Sequence, residues 1–164
     1  MARLDARRLG VWRGLQSRIA EIERSIDAAL RDEWDIPLNW FDVLAALQRL
    51  GGEGRPSAVA AELGMPLSSV TRRFDRLEED GWITRRRAPD LGDFRAIEVS
   101  LTRRGRNLWR AMNVTYRRAV QDWFARELSD DQITVLDEVL AVLAPEIVEP
   151  DPGDDADAAF GDVR

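Results

Sequence analysis

Two residue types with chemically versatile side chains are missing from this 164-residue chain: it contains no cysteine and no histidine. The lack of cysteine excludes disulfide bonds and thiol redox sensing. The lack of both residues excludes Cys/His zinc sites and nucleophilic catalysis by either side chain. The chain also has no apolar run of about 18 residues and no N-terminal basic-then-apolar signal. These absences predict a cytoplasmic protein with no cofactor, no metal and no membrane partner.

Lysine is absent as well, so all 24 basic residues are arginine, against 30 acidic residues. The formal net charge of −6 is unevenly distributed: residues 55–110 hold 12 arginines and 8 acids, whereas residues 145–164 hold one arginine and 7 acids. An acidic chain whose positive charge is concentrated in one segment remains compatible with nucleic-acid binding. Residues 149–164 have too few apolar side chains to fold alone, and we expect a disordered acidic tail.

The most informative stretch is residues 66–81, which has the pattern of an amphipathic helix. Val70, Phe74 and Leu77 fall on one side of that helix, at spacings of 4 and 3 residues. The remaining surface carries hydroxyl and guanidinium groups, which suit phosphate oxygens and guanine edges in a major groove. These candidate DNA-binding residues are Ser68, Ser69, Thr71, Arg72, Arg73 and Arg76. A solvated amphipathic helix would show the same pattern, so the neighbouring segments decide between the two.

A short helix predicted over residues 56–63 precedes this stretch, and Gly64 ends it. Two short helices joined by a three-residue turn that contains glycine, with the second helix basic, are typical of a helix-turn-helix. Gly81 is expected to end the second helix in a left-handed conformation. Many helical hairpins share this pattern, so it is a moderate signal alone.

A basic β-hairpin is predicted next, from strands at residues 82–87 and 96–101 joined by the turn-rich residues 88–94. Its arginines lie near the loop. They are Arg85, Arg86 and Arg87 on one strand and Arg95 beside the other. A helix-turn-helix followed by such a hairpin is typical of a winged helix, whose wing follows the phosphate backbone or enters a narrow minor groove.

Two helical segments are predicted on the N-terminal side. Residues 4–33 carry an apolar residue every 3 or 4 positions, a stripe about 30 Å long that can pack against a partner subunit or against the same chain. Residues 39–50 form a second helix with Asn39 as its expected cap, and residues 51–54 form a loop.

Two more helices are predicted on the C-terminal side. Thr102 is expected to cap a long helix over residues 103–127. Ser129 and Gln132 have the spacing of a capping box that opens a last helix, which ends before Pro145.

This order of elements, with the motifs inside it, resembles the MarR family of transcriptional regulators over about residues 8–145. The motifs are Val70-Thr71-Arg72, Asp75-Arg76-Leu77-Glu78, Gly81, Asp93-x-Arg95-Ala96 and Val99-x-Leu101-Thr102-x-x-Gly105. The resemblance implies a mainly α fold with a small β-hairpin wing. It divides the chain into a winged helix-turn-helix domain at residues 36–102 and a dimerisation region made of residues 1–35 and 103–145.

For function, the resemblance implies a homodimer that binds a palindromic operator in double-stranded DNA. It also implies a small effector that changes the spacing of the two recognition helices.

 The implied regulator is a repressor. The sequence does not predict an enzyme, because Glu78 and Glu79 have no glycine-rich phosphate loop or metal site near them. The alternative to DNA binding is a winged-helix module whose arginines meet an acidic protein surface.

The resemblance also assigns roles to residues of the wing. It implies that Arg95 reaches the minor groove and that Asp93 braces it through a salt bridge. The alternative for Asp93 is that it only shapes the turn, and the motif around it favours the bracing role. The chain departs from the family pattern in two places. Pro66 stands where a Ser or Thr usually caps the recognition helix, and the acidic tail has no counterpart.

A candidate effector site follows from the same resemblance, which places the pocket where the first, second and fifth helices meet the DNA-binding part. The residues expected there are Trp12, Arg13, Trp40, Asp42 and Trp109. Flat indoles beside charged groups would suit an aromatic or phenolic ligand. The alternative is that Trp12 and Trp40 are core residues and Asp42 is a surface charge.

Overall fold

The computed structural model describes residues 3–88 and 97–143, so the acidic tail and the loop of the wing lie outside the described residues. The helices are α1 (Ala6–Trp34), α2 (Leu38–Arg49), α3 (Pro56–Glu62), α4 (Leu67–Glu79), α5 (Arg103–Trp123) and α6 (Asp130–Leu143). The strands β1 (Glu53–Gly54), β2 (Ile83–Arg87) and β3 (Ile97–Leu101) form an antiparallel sheet in the order β1-β3-β2. The predicted fold class, mainly α with a small β wing, is confirmed.

The chain divides into two compact units, Met1–Glu127 and Leu128–Arg164. In the first unit, one core cluster joins α2, α3 and α4 to the sheet, and the predicted apolar side of α4 lies within it: Val70, Phe74 and Leu77 are almost completely buried. A second cluster joins the C-terminal half of α1 to α2 and α5. Burial of these side chains holds α4 in place and leaves its opposite side facing solvent.

The predicted cap of α2 is wrong, because the helix begins at Leu38 and Asn39 lies inside it. The cap position belongs to Pro37, which makes no side-chain cap bond. The backbone N–H of Leu38 instead donates to a carboxylate oxygen of Asp27 on α1, at 2.8 Å. A side chain from another helix therefore satisfies a donor that a local cap would otherwise have satisfied.

Residues 51–54 were predicted to be a loop, and this is also wrong in part. Glu53 and Gly54 form β1 and pair with Ser100 and Val99 of β3. A strand of two residues is too short to show an alternating pattern, so only its partner strand reveals it.

The other local signals fold as predicted. Gly64 and Gly81 have positive φ angles of 59° and 73°. Thr102 Oγ1 accepts a bond from the N–H of Gly105 at 2.9 Å. Ser129 and Gln132 exchange the two bonds of a capping box.

The predicted end of the long fifth helix is wrong by about one turn. The α-helix stops at Trp123, and a 3₁₀ turn at Ala125–Glu127 follows. Helix ends often tighten in this way, and periodicity alone does not separate the two kinds of turn. Within the described ranges, none of the helices is both long and apolar enough to cross a membrane.

Among the described residues, exposed apolar side chains are most numerous on two helices. On the first half of α1 they are Val11, Trp12, Leu15 and Ile19; on α6 they include Val135, Val139, Leu140 and Val142. The apolar stripe of α1 thus packs against its own chain only towards its C-terminal end, where Ile26 and Leu30 are buried.

Candidate nucleic-acid interface

The turn between α3 and α4 sets the position of the candidate recognition helix. Gly64 takes the left-handed conformation, and the N–H of Met65 donates to the carbonyl of Ala60 at 3.0 Å. Helix α4 then begins at Leu67 with Pro66 in the cap position and without a side-chain cap bond. Pro66 therefore ends the turn without blocking the first amides of α4.

The side of α4 that faces away from the core carries most of the predicted DNA-binding residues. Ser68, Thr71 and Arg72 are exposed, and Ser69 and Arg73 are partly buried. Thr71 donates its hydroxyl proton to the carbonyl of Leu67 at 2.9 Å.

Two of the predicted arginines are held by neighbouring groups of the same protein. Arg73 Nη1 donates to the carbonyl oxygen of Asn39 on α2, at 3.2 Å. Arg76 pairs with Glu79 at 3.2 Å and with Asp80 at 3.5 Å, and its guanidinium carbon lies 6.0 Å from the ring centre of Trp40. Both arginines therefore connect α4 to α2.

Arg72 differs from them. It is exposed, and it makes no hydrogen bond or ion pair with any residue in the described part of the chain. Its five donors are therefore not engaged elsewhere on this surface, which is the state that a base-reading arginine requires.

The arginines of the wing also differ in whether they are bonded to other groups of the protein. Arg85 is bonded to Glu78 and Asp75 of α4. Arg86 lies 3.7 Å from Glu98 on β3, whereas Arg87 is exposed and has no ion pair with a described residue. Asp93 and Arg95, the wing-tip pair that the resemblance implies, lie outside the described residues.

The structure separates the residues of the expected effector site. Trp12 and Arg13 are exposed on the first half of α1, and neither packs against the two core clusters. Trp40 and Trp109 are partly buried against both clusters. The indole N–H of Trp109 is buried and finds no hydrogen-bond partner within residues 3–88 and 97–143.

Asp42 is partly buried on α2, and its environment is unusual for a carboxylate. Burial raises the pKa of Asp42 from 3.8 to about 6, and Glu23 acts in the same direction. The positive charges of Arg73 and Arg49 oppose the rise without cancelling it. The charge of α2 next to the recognition helix therefore changes in mildly acidic solution.

A pH prediction follows from Asp42. Between pH 3.8 and about 6 the folded protein keeps a proton on Asp42 that the unfolded chain releases, so this group lowers the free energy of unfolding as pH rises through that window. Asp42→Asn should therefore raise the free energy of unfolding at pH 7 by about 2 kcal/mol and leave it almost unchanged at pH 4. Urea denaturation of both proteins across this range measures the difference. A difference that is the same at every pH would contradict the assignment.

An open groove of about 750 Å³ lies between the C-terminal end of α1, the residue before β2 and the N-terminal half of α5. Trp34, Trp82 and Leu108 supply apolar surface, and Arg103 and Arg104 supply positive charge. The ring of Trp82 also meets Trp40 edge-on, with 6.1 Å between the ring centres. The groove is thus connected through Trp40 to Arg76 on α4.

Sequence reasoning missed the groove and the carboxylates that bind Arg85. Asp75 and Glu78 lie three residues apart on one side of α4, and Arg85 follows soon after the turn at Gly81. That spacing was a usable signal, because the turn brings the strand back along the helix. The groove leaves no comparable local signal, since its walls come from three separate segments.

A three-stranded sheet packs against a helix-turn-helix, and the second helix of this motif exposes hydroxyls and Arg72, which has no ion pair within the described residues. These features define a winged helix-turn-helix protein. Residues 34–91 match the model of the MarR family. The regulator PecS of Dickeya dadantii (strain 3937) is 36% identical over 95 residues, which cover 56% of this chain and 55% of PecS. The alignment therefore spans about half of that relative. Over part of its length, the chain is therefore similar to the MarR family.

Solved structures share the fold at lower identity. Sco3205 of Streptomyces coelicolor, a MarR family transcriptional regulator solved in complex with DNA, has a TM-score of 0.80 and 22% identity, with 92% of this chain and 93% of Sco3205 covered. The organohalide-sensing regulator RdhR-CbdbA1625, in its 2,4-dichlorophenol-bound form, has a TM-score of 0.71 and 22% identity, with 85% and 80% covered.

Proposed function

We propose that the protein is a transcriptional regulator that binds a specific sequence in double-stranded DNA through α4 and the wing. The observation that carries this proposal is the exposed side of α4. Arg72 and the hydroxyl of Ser68 face solvent there, while Val70, Phe74 and Leu77 anchor the helix from behind. Sco3205, which has the same fold, was solved in complex with DNA. An exposed recognition helix of this kind fits a major groove.

The regulator acts as a homodimer on a palindromic operator. The exposed apolar residues on the first half of α1 and on α6 support this, because such surface on a single chain is typical of an interface. A two-fold dimer presents two copies of α4, so the half-sites have opposite orientations and lie about one helical turn apart.

Selection of bound duplexes from a random pool, at fixed salt and with the intact protein, tests this function. We expect an inverted repeat to be enriched, with affinity that falls as salt rises. Enrichment of no duplex would contradict DNA binding and would favour a winged-helix module for acidic protein partners. A single unrepeated half-site would contradict the dimer on a palindrome.

The proposed regulation is repression that a small aromatic or phenolic ligand relieves, and the groove is the place we propose for the ligand. Its volume lies in the range of small-molecule sites, and it combines indole surface with two arginines. A phenolate or an aromatic carboxylate could stack on Trp82 and pair with Arg103 or Arg104. A shift of Trp82 would reach α4 through Trp40 and Arg76.

Ligand binding in the groove predicts a change in tryptophan fluorescence when 2,4-dichlorophenol or a planar aromatic acid is titrated. Trp82→Phe should reduce the change, because Trp82 lines the groove together with Trp34, and Trp12→Phe should leave it in place. The same ligand should release the selected operator. If Trp12→Phe removed the response and Trp82→Phe did not, the site would lie at the first half of α1 instead.

A further inference from the structure

Arg85 was a candidate DNA contact, yet it is bonded on several sides to the recognition helix. Its guanidinium donates to Glu78 Oε2 from Nε at 2.8 Å and from Nη2 at 2.6 Å. Its Nη1 donates to Asp75 Oδ1 at 2.7 Å. One guanidinium thus joins two carboxylates that lie one helical turn apart on α4.

The backbone takes part in the same contact. β2 is an edge strand of the sheet, with β3 on one side only. The N–H of Arg85 donates to Glu78 Oε1 at 2.9 Å. Glu78 therefore satisfies a backbone donor at the strand edge and, with its other oxygen, holds the side chain of the same residue.

The charges of this cluster do not favour a phosphate contact by Arg85. Hydrogen bonding to Arg85 holds the pKa of Glu78 below its ordinary value although burial opposes this, so the carboxylate stays ionised at neutral pH. One positive charge then faces two negative charges, and only 28% of the Arg85 side chain is exposed. The carboxylates already use three of the five donors of the guanidinium, and their negative charges would repel a phosphate.

We propose that Arg85 is a positioning residue that fixes the wing strand β2 against the recognition helix α4, and not a contact to DNA. The inference rests on the proposed DNA-binding function. Because Glu78 and Asp75 hold β2 from α4, this strand and the recognition helix approach the duplex as one body. The position of β2 relative to α4 is then already fixed before DNA binds.

Whether DNA binding becomes stronger or weaker when a carboxylate is removed tests this role. Removing a carboxylate from a DNA-binding surface ordinarily strengthens binding, because a repulsive charge is lost. Glu78→Gln should instead weaken binding to the selected operator by roughly threefold to tenfold, because the wing loses its anchor. Glu79→Gln is the matched control. It removes the same charge from the next residue, whose ion pair with Arg76 stays within α4, and it should bind as tightly as the wild type or more tightly.

The salt dependence of binding separates positioning from contact. Arg85→Gln should weaken binding while the slope of log K against log salt stays unchanged, whereas Arg87→Gln should reduce that slope by about 1 per site, or about 2 per dimer. Each variant is compared at a temperature where circular dichroism shows it fully folded. A reduced slope for Arg85→Gln, or tighter binding by Glu78→Gln, would overturn the inference. If the wild type selected no duplex, the proposed function itself would fail, and this is seen before any variant is compared.

Discussion

Gly105→Ala is expected to lower the free energy of unfolding by about 3 kcal/mol or more, which is among the larger effects of a single substitution. A Cβ atom at position 105 would lie 1.9 Å from the carbonyl oxygen of Trp82 and 2.9 Å from its carbonyl carbon. That carbonyl has little freedom to move, because it accepts a bond from the N–H of Thr102 at 3.0 Å. The start of α5 would therefore have to separate from the strand that leads into the wing.

The chain contains matched controls for this substitution. Gly10 and Gly14 lie inside α1, and a Cβ atom at either position would meet no atom of the described residues within 4 Å. Alanine there should raise the free energy of unfolding by up to about 1 kcal/mol, since glycine is the weaker helix former. Urea denaturation of the three variants gives the comparison. Equal stability of Gly105→Ala and the wild type would mean that α5 and Trp82 are not packed as described.

The close approach at Gly105 explains why part of the fold could be predicted from the sequence. Thr102 and Gly105, like Ser129 and Gln132, act on backbone groups within three residues of themselves, so their roles are visible in a short stretch of sequence. The turn at Gly64 is equally local. The reason that position 105 must be glycine is not local, because the obstructing atom belongs to Trp82.

The errors in the predicted fold also come from contacts between residues that are distant in the sequence. Asn39 was expected to cap α2, but the bond to the helix start comes from Asp27, which is 11 residues away from Leu38. The two residues of β1 are a strand only because β3 lies beside them. Each depends on a contact between distant parts of the chain, which periodicity and cap preferences do not contain.

In the candidate interface, too, some features could be predicted from the sequence and others could not. The apolar side of α4 was predictable from spacing alone, and its burial is confirmed. Composition could not show which arginines are already paired. Arg73 bonds to α2 and Arg85 bonds to α4, whereas Arg72 does neither, and only the tertiary structure separates the three. Their roles at DNA stay predictions.

Arg72→Ala is expected to weaken operator binding by about 1–3 kcal/mol per half-site, and so by up to about 6 kcal/mol for the dimer. Arg72 is exposed on α4, and its guanidinium has no hydrogen bond or ion pair within the described ranges, so it can bond to a guanine in the major groove without breaking a contact. The substitution should also relax specificity at one base pair in each half-site. Repeating the duplex selection with the variant measures both effects.

Arg117→Ala is the matched control, because it removes the same charge from an exposed position on α5 about 20 Å along the helix from Thr102. It should leave the selected sequence unchanged and affect affinity little. Arg72→Lys adds a second comparison, since lysine keeps the charge but loses the planar fork that reads guanine. It should therefore retain more affinity than Arg72→Ala while showing the same loss of specificity. If folded Arg72→Ala selected the wild-type sequence with wild-type affinity, Arg72 would not read DNA and the proposed orientation of α4 would be wrong.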